Sequence, residues 1–72
     1  MKKTYHTAFN GEATRNSTRR YDWAYRVNNP SNPAYVQYGF ASTEEGARRA
    51  GRHFLKFNGY TTVDVERTTV ID

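Results

Sequence analysis

The clearest pattern along the chain is a period of two from Tyr21 to Val27. Tyr21, Trp23, Tyr25 and Val27 fall on one side, and Asp22, Ala24 and Arg26 on the other. Successive side chains of a strand point to opposite faces, so this segment predicts a strand with one apolar face. Alternation resumes from Ala34 to Ala41, with Val36, Tyr38 and Phe40 against Tyr35, Gln37, Gly39 and Ala41. Between the two, Asn28-Asn29-Pro30-Ser31-Asn32-Pro33 gathers turn formers. Proline fixes φ and asparagine offers its side chain to its own backbone, so the segment reads as the loop joining two antiparallel strands.

The period then changes to that of a helix. Ser42-Thr43-Glu44-Glu45 has the form of a capping box, with Ser42 accepting from the Glu45 amide and the Glu45 carboxylate reaching back to the Ser42 amide. Ala47, Ala50, Gly51 and Phe54 follow at i, i+3, i+4 and i+7, which predicts a helix over 43–57 packing its Ala47, Ala50 and Phe54 face on a sheet. Asn58-Gly59 is the stop signal. From Thr61 to Ile71 β-branched residues dominate, with Val63 and Val65 in register and Asp64 and Glu66 opposite them. Val70 breaks that parity, which predicts a bulge or a separate strand end between Arg67 and Thr69. Upstream, Tyr5, Thr7 and Phe9 alternate before Asn10-Gly11, a dipeptide suited to a type I′ hairpin turn. The same stretch is poor in apolar residues, which also fits a flexible basic arm. The expectation is an α+β fold in which residues 1–20 form a basic polar arm or hairpin and 21–72 a compact ββαβ domain. Its antiparallel sheet has three strands, 21–27, 35–41 and 61–67, or four with an N-terminal one, and the helix covers one face. The other face is then open to water or to a partner.

Composition narrows what can hold such a fold together. The 72 residues contain no cysteine, one leucine and one isoleucine, but six tyrosines, four phenylalanines and one tryptophan. Disulfides, zinc ribbons and thiol nucleophiles are excluded, and a core of this size must be built from rings. The bland assignment for Trp23, Tyr25, Tyr38 and Phe40 is therefore the core. No apolar run approaches the length of a membrane span, mean hydropathy is −0.98, and the polar N-terminus lacks a signal-peptide apolar region, so the expected compartment is the cytoplasm.

Charge adds a direction. Eleven Lys and Arg against seven Asp and Glu give a formal +4, which favours an anionic partner: nucleic acid, or an acidic surface of nucleic-acid-processing machinery. On the helix, Glu44 precedes Arg48 by four and Glu45 precedes Arg49 by four, the spacing of stabilising pairs, so these arginines are partly neutralised. Arg52, His53 and Lys56 have no acid one turn before them, so the positive field concentrates at the helix C-terminus. The partner-binding candidates are Arg15, Arg19, Arg20, Tyr21, Arg26, Tyr35, Arg49, Arg52, Lys56 and Tyr60, the tyrosines because they lie near element ends. Catalysis, cofactors and metals find no support. His6 and His53 are the only histidines, and neither Ser17 nor Ser42 has a base beside it in sequence.

Three resemblances bear on function. Val36-Gln37-Tyr38-Gly39-Phe40-Ala41, followed by an acidic-start helix, Asn58-Gly59 and a Val-x-Val strand, resembles the second half of an RNA-recognition motif. That likeness implies Tyr38 and Phe40 as base-stacking rings on an open sheet. It departs from the motif where Val36 and Gln37 replace a basic residue and a glycine, and where Thr43 replaces the last aromatic. The same stretch is similar to the AP2-type DNA-binding domain, which implies Arg20, Trp23 and Arg26 as base readers. In size, charge and element order the chain also resembles phage-encoded host-takeover proteins, namely anti-CRISPR proteins and RNA polymerase inhibitors, a likeness that assigns no residue. Two functions follow as expectations. One is a non-enzymatic module binding nucleic acid or its processing machinery. The other is a phage-type protein inhibitor docking on a host complex through anchors such as Tyr21, Tyr35, Tyr60, Arg49 and Arg52.

Overall fold

The computed structural model describes residues 2–9, 11–16 and 20–71. In chain order they form β1 (Lys2–Thr7), β2 (Gly11–Asn16), β3 (Trp23–Asn28), β4 (Val36–Ala41), α1 (Glu44–His53), a 3₁₀ turn (Phe54–Lys56), β5 (Thr62–Arg67) and β6 (Thr69–Ile71). The strands make two antiparallel three-stranded sheets, β2-β1-β6 and β4-β3-β5. The result is an elongated α+β domain of 37 × 21 × 17 Å.

The β4-β3-β5 sheet is the centre of the molecule. Tyr25 lies opposite Gly39 and Val65, and Val27 opposite Gln37 and Val63. Directly opposed residues share a face. Trp23, Tyr25, Val27, Val63 and Val65 therefore face one way, and Ala24, Arg26, Val36, Tyr38 and Phe40 the other. The helix packs on the first face through small residues: Ala47 and Gly51 are buried, whereas Ala50 and Phe54 are only half-buried. Val27 beneath it is fully buried, worth about 1.5–3 kcal/mol. Helix entry differs from the capping-box expectation. Thr43 is the N-cap, accepting from the Gly46 amide at 3.0 Å, and Ser42 instead donates to the Arg20 carbonyl. With Thr43 as cap the third helical position is Gly46, so no carboxylate can complete the box, and Glu45 pairs with Arg49. The α-helix ends at His53 and tightens into the 3₁₀ turn before Phe57 leaves in extended conformation.

The second face is half covered. β1 and β2 pair as a hairpin with Thr7 opposite Gly11, so Gly11 lies in the strand, and Asn10 lies outside the described residues. Tyr5, fully buried, sets its ring against Phe40 and Tyr21 and accepts from the Tyr21 amide. At the hairpin turn the Ala8 amide donates to Glu66, and the Arg26 guanidinium lies 4.9 Å from the Phe9 ring centre. The parity break at Val70 has a simple origin. Thr68 donates its amide to Asp22 and its hydroxyl to Tyr21, and the chain then leaves one sheet to become β6 beside β1 in the other.

Candidate binding surface

What the hairpin leaves uncovered is the end of the second face nearest the 29–35 loop. That loop is two successive turns of one design. In each, an asparagine precedes proline, accepts at its carbonyl from the amide three residues on, and accepts at its side-chain oxygen from the amide two residues on. Asn29 does this with Asn32 and Ser31, and Asn32 with Tyr35 and Ala34. Proline at the second turn position and asparagine at the first are the residues such turns favour, so the loop is stiff. It holds Pro30, Pro33 and Tyr35 as one wall of an open cleft of about 270 Å³, whose other lining residues are Arg26, Asn28, Asn29, Val36 and Tyr38.

Tyr38 is 42% exposed and Tyr35 38%, so two ring-bearing residues border the cleft. The assignment of Tyr38 to the core is corrected by the strand register. Opposite Arg26, it lies on the face away from the helix, beyond the reach of the Tyr5 cover that encloses Phe40. Arg26, one of the lining residues, pairs with Asp64 at 2.8 Å. Its Nε and the Asn28 Oδ1 are buried without a hydrogen-bond partner among the described residues. Orphaned buried polar atoms are rare and call for an explanation.

A line of rings runs from this cleft around the end of the sheet to the helix. Tyr35 meets Tyr60 edge-on at 5.7 Å, Tyr60 meets Phe54 at 5.9 Å, and Phe54 meets Phe57 at 6.2 Å, with His53 against both phenylalanines. The Tyr60 hydroxyl accepts from Gln37, and the Tyr35 ring lies over Gly59, whose φ of 108° and lack of a Cβ permit that approach. Phe57 is 52% exposed, and Arg52 and Lys56, at the same end of the helix, are exposed and form no ion pair among the described residues.

The other candidates divide. Arg49 is held by Glu45 at 3.0 Å, as Arg48 is by Glu44 at 2.9 Å, which matches the expected neutralisation. Arg20 is exposed and pairs with Asp22 at 2.7 Å. Tyr21 is half-buried, its ring set against those of Tyr5 and Phe40. Tyr60 is half-buried within the ring line. Arg15 lies in β2 opposite Lys3, and Arg19 lies outside the described residues. Trp23 and Arg26 project to opposite faces of the sheet, Trp23 with Arg67 over its ring, so Arg20, Trp23 and Arg26 do not form one reading surface. Sequence reasoning missed Asn28, Pro30, Pro33 and Phe57 as surface-forming residues. The Asn-Pro repeat was the available signal for the loop.

Among the described residues no group of His, Asp and Glu is placed to hold a metal ion, and no helix is long and apolar enough to cross a membrane. Comparison with protein-family models, with curated proteins and with solved structures finds no match.

Proposed function

We propose that this protein is a non-enzymatic module that binds single-stranded nucleic acid. The observation that carries the reading is the line of rings from exposed Tyr35 through half-buried Tyr60 and Phe54 to exposed Phe57, at the end of the helix that also carries Arg52 and Lys56, which no acid answers among the described residues. Exposed rings on which bases stack, bordered by cations that follow the phosphates, are the two ingredients of strand binding that tolerates sequence. A surface built only to keep the chain in solution has no need of Phe57, Tyr35 and Tyr38 at its exterior.

The test is fluorescence polarisation of labelled single- and double-stranded DNA and RNA at two salt concentrations. Single strands should bind best, with affinity falling steeply as salt rises because each neutralised phosphate releases counterions. Absence of binding to every oligonucleotide at low salt would overturn the reading. It would return weight to the rival expectation, docking of the same ring-and-arginine surface on a protein complex, which a pulldown from nuclease-treated bacterial lysate would reveal.

A further inference from the structure

The cleft differs in chemistry from the basic helix end. Arg26 is the only cation that lines it among the described residues, and that charge is already answered by Asp64 at 2.8 Å and by the Phe9 ring face. A phosphate would gain little there. Two of its lining residues instead hold buried atoms without partners among the described residues, the donor Arg26 Nε and the acceptor Asn28 Oδ1. The walls are apolar and ring-bearing: Tyr35, Tyr38, Pro30, Pro33 and Val36. At about 270 Å³ the space lies just under the 300–1,000 Å³ typical of clefts for drug-sized ligands, so it suits a single small ring system. A flat, uncharged ligand whose edge carries both an acceptor and a donor satisfies all of these conditions. An unstacked nucleobase is such a ligand, since bases splayed from a single strand are recognised by stacking on aromatic rings and by hydrogen bonds to their edges.

We infer that the cleft takes one unstacked base of the bound strand, its face against Tyr38 and its edge on Arg26 Nε and the Asn28 amide. The two polar atoms are buried, in residues that line the cleft. Reaching them takes a rotation of the Asn28 amide and a small shift of the guanidinium, adjustments of the size that interfaces commonly show on binding. The inference rests on the strand-binding reading for how the base arrives, but it makes a separate claim. The cleft reads a base, whereas the ring line and the helix end hold the chain that carries it.

The experiment combines oligonucleotide binding with NMR. Tyr38→Ala should weaken binding of a single-stranded oligonucleotide about 5- to 160-fold, the range expected for losing one stacking ring, with the salt slope unchanged. An abasic oligonucleotide of equal length should bind wild type correspondingly less well. Arg52→Ala with Lys56→Ala should instead flatten the salt slope by about 0.7 for each phosphate no longer neutralised. Free nucleosides at millimolar concentration should shift the Asn28 side-chain amide resonances. Circular dichroism checks the variants, and Tyr38→Leu, which keeps an apolar side chain but no ring, replaces Tyr38→Ala if that variant does not fold. If wild type binds the abasic strand equally well and Tyr38 substitution changes nothing, the base site is wrong while strand binding stands. If nucleosides shift Asn28 but no oligonucleotide binds, the base site stands and the strand-binding reading falls. If neither ligand has any effect, or a proline-rich peptide shifts Asn28 and nucleosides do not, the inference is overturned.

Discussion

Replacing Gly51 by alanine sets two well-known effects against each other. Alanine is favoured over glycine inside a helix by about 1 kcal/mol, so on propensity alone the change stabilises. In this fold, however, a Cβ at position 51 would stand 2.6 Å from Val63 Cγ1, with Val27 Cγ2 at 3.5 Å and Tyr25 Cδ1 at 3.6 Å. Carbon atoms attract best at about 3.5–4.0 Å, so the Val63 approach is short by roughly 1 Å. Val63 is β-branched and stiff at χ1, so it cannot turn aside without strain, and the helix must lift from the sheet. Overpacking of this kind typically costs about 1–3 kcal/mol. The expected net effect of Gly51→Ala is thus destabilisation by about 1 kcal/mol, a fall in Tm of about 4–8 °C for a domain of this size. Thermal and urea unfolding followed by circular dichroism measure it. Val63→Ala in the same chain removes the offending methyl. The double variant should then be more stable than the sum of the single effects by about 1 kcal/mol, within the range seen for residues in contact. A rise in Tm for Gly51→Ala alone would refute the close approach of helix and sheet.

Thr43→Ala should cost about 1 kcal/mol and speed hydrogen exchange of the Gly46 amide, while Ser42→Ala should leave that amide protected, because Thr43 holds it. Gly59→Ala places a Cβ at a φ of 108° and within 2.4 Å of the Tyr35 ring. It should destabilise by more than about 1 kcal/mol and alter the Tyr35–Tyr60 ring contact in nuclear Overhauser spectra. Burial raises the pKa of the Tyr25 hydroxyl above the ordinary value of 10.0. Below that pH both folded and unfolded chains hold the proton; above it the unfolded chain releases first, so stability falls as pH rises. Tyr25→Phe should remove this part of the alkaline loss, read as urea midpoints from about pH 9 to 11. Identical slopes for the two proteins would show that Tyr25 does not contribute.

How far the sequence leads depends on the range of the interaction. The β3, β4 and α1 segments announce themselves through local periodicity, and Glu44–Arg48 and Glu45–Arg49 through helical spacing alone. The cap shifts by one residue because serine and threonine both serve, and only the placement of Gly46 decides between them. Tyr38 could not be placed from its own strand. The face it shares depends on the β3–β4 register, which sets it beside Arg26 rather than Tyr25. The second sheet was legible only as a hint at each end, since its seam joins β1 to β6. The cleft was harder still: its wall is a loop whose residues are ordinary turn formers, and its orphaned atoms exist only once Asp64 has taken one face of Arg26.

That seam fixes an order of events. Tyr5 stands opposite Val70, near the other end of the chain, whereas β3, β4, α1 and β5 follow one another in sequence. Closing so long a loop loses more chain entropy than joining neighbours does, and non-local pairings of this sort slow folding. The β1–β2 hairpin and the helix-backed sheet should therefore assemble before the β1–β6 seam closes between them. In the native state the smaller sheet is held to the larger through the buried Tyr5, so hydrogen exchange of the β1 amides compared with those of β3 measures how firmly that contact closes it. Separation of the two sheets would lift Tyr5 from Phe40 and Phe9 from Arg26, uncovering the part of the central sheet that those two rings shield.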